Sequence, residues 1–272
     1  MDGRVTHVIF DWAGTLTPWH TVDVPGIWRE TAGVIAPGNA EELGARLHAA
    51  ERELAAKCRE THCSATLDEV FAAAGVVPGE EALAAYRRAW DAHTHLDPDG
   101  ETVLRGLRER GLGVGVLSNT LWSEHWHSEI FERDGVLGLI DASVYSSEVA
   151  WTKPHPEIFR LAMDRVGAQT PATCAYVGDR LFEDVYGARR AGMRTVWVPH
   201  SAIPEEERGE EAEPDATVHA LKDLLDVVDG WLEPAAGTAR GAVPRQPARR
   251  TVNAEVVPEM GRTPPAAFAC AV

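Results

Sequence analysis

Short apolar runs recur along the chain at 5–10, 113–117, 174–177 and 194–198, with a weaker one at 216–218. The first, rich in Val, Ile and Phe, barely alternates polar with apolar residues, as a strand buried on both faces does. Between the runs, apolar residues return every three to four positions over Gly100–Arg110, Pro156–Val166, Leu181–Ala191 and Leu221–Leu232. Gly111, Gly167 and Gly192 stand just past the first three of these. A glycine there can adopt the left-handed conformation that ends a helix. Strands alternating with such helices predict an α/β fold, a Rossmann-like parallel sheet core with helices on both faces.

Residues 20–96 break the rhythm. They hold helical stretches at roughly 39–59, 66–74 (after Ser64-Ala65-Thr66) and 79–94, and no convincing strand. The expected organisation is therefore a core from 1–19 and 97–233, an α-helical insertion at 20–96 and a tail at 234–272. The tail, rich in Pro, Ala, Gly and Arg without periodicity, is expected to be flexible. The acidic stretch from Glu205 to Asp215 reads as a solvated connection. No internal repeat is visible.

Composition narrows the partners. The 272 residues carry 26 basic against 42 acidic side chains, a net charge of −16. That disfavours a nucleic-acid binder, which needs a basic face against phosphates, but leaves room for a small anion held by local cations and a metal. The first residues lack a secretory pattern, and no run approaches the ~18 apolar residues of a membrane span. Cys58, Cys63, Cys174 and Cys270 form no CxxC pair, so reduced thiols in a cytoplasmic protein are expected. The partner is expected to be a small phosphorylated or phosphonate substrate, and the chain a monomer or homodimer.

The candidate chemistry lies where the strands end, since ligands of open parallel sheets bind beyond the carboxyl ends of the strands. VIFDWAGTLT supplies Asp11 and Thr15, and VGVLSNT supplies Ser118 and Asn119. AWTKPHPEIF supplies Lys153, and AYVGDRLFEDVYGARRAGM supplies Asp179 and Asp184. A carboxylate attacking phosphorus forms an aspartyl-phosphate and splits one hard displacement into two easier ones. The repulsion between Asp11 and a phosphate dianion calls for a nearby lysine and a magnesium ion held by Asp11 and Asp179. A serine hydroxyl and backbone N–H groups at a helix start suit the remaining phosphate oxygens.

These four segments resemble the motifs of the haloacid dehalogenase-like hydrolase superfamily, over residues 5–18 and about 99–230. The helical insertion is similar to that family's cap, and GDRLFEDVYGARRAGM is a close match to its fourth motif. The resemblance implies a Mg²⁺-dependent phosphatase of a small metabolite. Asp11 is its nucleophile, Ser118 a phosphate ligand and Lys153 the charge stabiliser. Thr15 and Asn119 are placed with Ser118 at the phosphate. Asp179 binds the metal, Asp184 supports or helps coordinate it, and the carbonyl of Ala13 is a further metal ligand.

One position departs from the family's phosphatases, which keep an Asp where this chain has Ala13. Losing a general acid/base typically costs ~10²–10⁴-fold. The substrate can have a good leaving group, such as an acyl phosphate, or the cap can lend a donor, with His20 and His62 as candidates. Alternatively, DWAGT is similar to the first motif of phosphonoacetaldehyde hydrolase, in which a cap lysine forms a Schiff base and no acid is needed. Lys57 is the lysine available for that role. Haloacid dehalogenases use an Asp on carbon without metal, and Asp179 with Asp184 argues against that reading. A non-catalytic phosphate-binding or regulatory protein is the alternative from another class. Trp19, Trp28 and the region Lys57–Cys63 are the insertion residues expected to face the site.

Overall fold

The computed structural model describes residues 4–199 and 212–232. Six parallel strands form one sheet: β1 (His7–Phe10), β2 (Gly113–Ser118), β3 (Ala142–Tyr145), β4 (Cys174–Gly178), β5 (Arg194–Trp197) and β6 (Ala216–Thr217), in the order β3-β2-β1-β4-β5-β6. The Rossmann-like α/β expectation is met. β1 is central, with Phe10 level with Val116 of β2 and Val177 of β4. Its side chains alternate between two cores, Val8 and Phe10 facing one and Ile9 the other. After β1 the chain builds outward on one side, then crosses to the other at β4. The crevice at that reversal is where a doubly wound sheet binds its ligand, and Asp11 stands at its edge.

The helices of the sheet layers are α5 (Gly100–Glu109), α6 (Glu124–Arg133), α7 (Pro156–Val166), α8 (Gly187–Arg190) and α9 (Leu224–Leu232). Four more precede them in the insertion: α1 (Val24–Ile35), α2 (Ala40–Thr61), α3 (Leu67–Ala73) and α4 (Glu80–Asp91). Thr66 caps α3 in a reciprocal box with Glu69, the T-x-x-E pattern of its sequence. The expected helix 181–191 is divided. Leu181–Tyr186 is wound wide, with Val185 N–H reaching Arg180 O, and passes into α8. Such wide turns gather at functional sites.

Three elements lie outside the sequence expectation: α1, α6 and β3. Asp23 caps α1 through Gly26 N–H, with a proline in the first turn. β3 is a four-residue edge strand against β2. Two further expectations change. Asp215 is not merely solvated, since its carboxylate accepts Thr195 N–H at 2.8 Å. Cys58 and Cys174 are free thiols, whereas Cys63 is disulfide-bonded, contrary to the expectation of reduced thiols throughout. The acidic residues 205–211 and the tail 234–272 lie outside the described residues. Among the described residues no helix is long and apolar enough to cross a membrane.

His127 on α6 is fully buried, stacked on Tyr145 at 4.1 Å and edge-on to Trp12 at 4.8 Å. Its Nδ1 donates to Ser123 O, and Nε2 has no hydrogen-bond partner among the described residues. Burial pulls its pKa down to about 4. The unfolded chain therefore takes up a proton near pH 6.5 that the folded chain refuses until about pH 4. Stability is full at neutral pH and falls across that window, by on the order of 3 kcal/mol. His127→Phe is expected to flatten the melting-temperature curve between pH 6.5 and 4.5, and parallel curves would remove His127 as the cause.

Candidate active site

Asp11 follows β1 directly, and its N–H donates to Val177 O at 2.8 Å, fixing it level with the end of β4. Trp12 then turns the chain, its carbonyl accepting from the N–H groups of Thr15, Leu16 and Thr17. Gly14 sits in that turn with φ of 82°, where a side chain would be strained. On β4, a Cβ at Gly178 would lie 2.3 Å from Asp184 Cγ. The glycine thus lets the fourth-motif carboxylate fold back under its own strand. Asp184 Oδ2 accepts Arg180 N–H at 2.9 Å, and Trp197 Nε1 donates to Asp179 O at 2.9 Å.

At the centre stands Lys153, 4% exposed. Its ammonium lies 2.9 Å from Asp11 Oδ1 and 2.7 Å from Asp184 Oδ1, and donates to Tyr176 OH at 2.9 Å. The tyrosine in turn donates to Leu117 O. Burial alone would lower the lysine's pKa, but Asp11 and Asp184 outweigh it and hold it above the ordinary value. Asn119 clamps the backbone beneath: its Nδ2 donates to Lys153 O at 3.0 Å, and Lys153 N–H donates to its Oδ1 at 2.8 Å.

Asp11, Asp179 and Asp184 each place a carboxylate oxygen within 4.8 Å of the others. Burial, then mutual repulsion, pushes Asp179 well above the usual carboxylate range. Asp184 is raised by burial too, despite Lys153. Glu183 is buried beside them, its pKa also raised by burial, 3.8 Å from Arg180. Four carboxylates thus face two cations, Lys153 and Arg180, a surplus of negative charge that a divalent cation would offset. Hard carboxylate oxygens in this number suit Mg²⁺.

The candidates from sequence divide by position. Asp11, Ala13, Ser118, Asn119 and Lys153 line a cavity of about 930 Å³, while Asp179 and Asp184 lie behind Asp11 and Lys153. Thr15 is not on the cavity; its hydroxyl donates to Asp179 Oδ1 at 3.2 Å. Thr15 thus braces Asp179, and Asn119 braces the backbone of Lys153 while lining the cavity. Ser118, buried at the end of β2, keeps its place on the cavity wall.

The opposite wall is one face of α2, where His48, Glu51, Arg52, Ala55, Cys58 and Arg59 follow at three- to four-residue spacing. The insertion is moored over the site by backbone bonds. Thr152 N–H donates to His62 O at 3.0 Å and Leu67 N–H to Leu121 O at 2.9 Å. Trp19 lines the cavity, whereas Trp28 is buried within the insertion. Lys57 is exposed and turned off the lining face. His20 and His62 do not line the cavity either, His20 being hydrogen-bonded to His93. Sequence reasoning missed Glu51, Arg52, Arg180 and Glu183. The last two stand within the fourth motif, and the first two had no signal beyond lying on a helix.

Comparison with known proteins agrees with this geometry. A model of the haloacid dehalogenase-like hydrolase family matches residues 5–192. The chain is 36% identical to a glyceraldehyde 3-phosphate phosphatase of Methanopyrus kandleri, over 54% of this chain and 62% of that protein. It is 35% identical to a phosphoserine phosphatase of Thermus thermophilus, over 48% of this chain and 50% of that one. The chain thus spans half to about 60% of the length of these relatives. The fold is similar to that of a HAD phosphatase from Thermococcus onnurineus (TM-score 0.60, 22% identity, 83% of this chain and 99% of that one). An L-2-haloacid dehalogenase from Xanthobacter autotrophicus is similar in fold as well (TM-score 0.57, 22% identity, 83% and 99%).

Proposed function

The chain belongs to the haloacid dehalogenase-like hydrolase family, and from that premise we propose that it is a magnesium-dependent phosphatase of a small phosphorylated metabolite. The observation that carries this reading is the buried lysine bridging Asp11 and Asp184, with Asp179 alongside, at the floor of the cavity. Phosphoryl transfer has a use for three carboxylates meeting in one place, since together they can hold a divalent cation. The names of the relatives, phosphatases of glyceraldehyde 3-phosphate and of phosphoserine, support a substrate of similar size. A cavity of about 930 Å³ has room for one.

In this reading Asp11 attacks phosphorus and carries the phosphoryl group. Lys153, held cationic by its two carboxylates, neutralises charge on the nucleophile and on the transferring phosphoryl. Ser118 donates its hydroxyl to a phosphate oxygen. Asp11, Asp179, Asp184 and the Ala13 carbonyl would hold Mg²⁺, which supplies Lewis-acid polarisation of the phosphoryl oxygens. Residues 20–96 act as a cap whose α2 wall selects the substrate. The carbon–phosphorus alternative needs a lysine of the insertion in the cavity, and Lys57 does not line it.

The test is hydrolysis of an aryl phosphate with and without Mg²⁺. Turnover is expected to need the cation and to stop in excess chelator. Asp179→Asn is expected to lower kcat/KM by about 10²-fold or more, and to weaken the Mg²⁺-induced rise in melting temperature. Full activity in chelator would overturn the reading.

A further inference from the structure

Ala13 offers no proton to a leaving oxygen, yet a carboxyl group lines the far side of the same cavity. Glu51 lies at mid-helix on α2 and is half-buried. Trp28 Nε1 donates to its Oε2 at 2.7 Å, leaving Oε1 without a hydrogen bond among the described residues. Trp28 is itself fixed, fully buried and packed on Phe71 and Tyr86 at 5.5 and 4.7 Å. The carboxyl is thus held by one oxygen on a rigid support, with the other turned to no protein partner. That leaves one oxygen available as a proton donor on the wall of the cavity that also holds Asp11.

We propose that Glu51 is the general acid and base of this site, replacing from α2 the carboxylate absent at position 13, and that the substrate is accordingly an alkyl phosphate monoester. This rests on the reading of Asp11 as the phosphorylated nucleophile. In the first step Asp11 forms the new P–O bond, the ester P–O bond breaks, and its electron pair takes the Glu51 proton, releasing the alcohol. In the second step water attacks the phosphorus of the acyl phosphate and gives its proton to Glu51. Inorganic phosphate leaves, and both carboxyl groups return to their starting states.

The surroundings suit this cycle. Burial raises the Glu51 carboxyl above its usual range, with the Trp28 N–H opposing. Tyr86 from α4 lies near it, and the charged and titratable groups that share its cavity are His48, Arg52, Glu53, Cys58 and Arg59 from its own helix and Asp11, Lys153, Arg180 and Glu183 from the core. His48, one turn away on the same face, and the carboxyls of Glu53 and Glu183, which line the same cavity, are the rival donors.

The experiment compares aryl and alkyl phosphates of graded leaving-group pKa. Aryl turnover that depends on Asp11 establishes the nucleophile independently of Glu51. In the wild type, kcat/KM is expected to fall only weakly with rising leaving-group pKa. A steep fall, near tenfold per unit, would overturn the proposal with no variant needed. Glu51→Gln keeps an acceptor for Trp28 but no acidic proton. It is expected to hold kcat/KM for aryl phosphates within a few-fold while their kcat falls and the phosphoryl-enzyme accumulates, because the base of the second step is gone, and to lose about 10²–10⁴-fold in kcat/KM on alkyl phosphates. Adding Ala13→Asp to it is expected to restore part of the alkyl kcat/KM and leave the aryl kcat/KM unchanged. Equal loss of kcat/KM on both substrates, no loss on either, or the selective loss appearing in His48→Gln, Glu53→Gln or Glu183→Gln instead would each overturn the assignment.

Discussion

Asp11→Asn is expected to abolish phosphate-ester turnover, lowering kcat/KM by about 10⁵–10⁶-fold, the scale seen when an enzyme loses its nucleophile. Asparagine has nearly the same volume, and the backbone bond to Val177 O is untouched, so the loss cannot be attributed to misfolding. Stability should move the other way. The site buries Asp11, Asp179, Glu183 and Asp184 against only Lys153 and Arg180. Removing one charge relieves repulsion without stranding the lysine, which keeps Asp184 at 2.7 Å. In metal-free buffer the variant is therefore expected to melt at the same temperature as the wild type or higher. Acid-quenched protein incubated with an aryl phosphate should carry phosphate on the wild type and none on the variant. If Asp11→Asn kept more than about a tenth of the activity, covalent catalysis by this residue would be wrong.

That trade-off explains which parts of the molecule were legible in the sequence. Pro156–Val166 was read to the residue, because a proline opens α7 and Gly167 closes it in the left-handed conformation. The strand-end polar residues were legible because a buried parallel strand is almost wholly apolar, so Asp11 after Val8-Ile9-Phe10 has no structural excuse. α6 was not legible. Its EHWHSEIFER is mostly polar, and what it buries includes His127, a residue no periodicity argument counts as core. α1 was hidden behind a proline and glycine at its start, and β3 by its four residues at the sheet edge.

Glu51 shows the deeper limit. Within AERELAAK it looks like one more solvated glutamate on an amphipathic helix. Its carboxyl is held by Trp28, 23 residues earlier on a different helix, through a single indole N–H. Likewise Tyr176 reads as a core strand residue, and only the fold shows its hydroxyl between Lys153 and Leu117. Local pattern reports the residues a strand end presents, whereas a site shared between two layers exists only once they pack.

Lys153→Met is expected to lose both activity and stability, in contrast to Asp11→Asn. Methionine fills a similar volume but leaves Asp11 and Asp184 facing each other with no cation between them. Breaking a buried pair by removing one partner costs about 3–5 kcal/mol, so the melting temperature in metal-free buffer should fall by many degrees. Part of the loss is expected to return with Mg²⁺, since a cation bound by the same carboxylates offsets their charge. Turnover should not return with it. Lys153 sits against the nucleophile, where the phosphoryl group arrives, and removing such a stabilising contact costs about 10²–10³-fold or more. Lysine's raised pKa sets the pH behaviour. Its stabilisation is complete below the unfolded value near 10.4 and is lost only as pH rises through the higher folded value. Across neutral pH the wild type should therefore show no activity change traceable to this lysine. Arginine should not rescue, because a planar five-donor fork does not fit a site sized for an ammonium between two carboxylates and a tyrosine. A Lys153→Met protein that turned over aryl phosphate within a few-fold of wild type, with Mg²⁺ present, would leave the lysine a purely structural counter-ion.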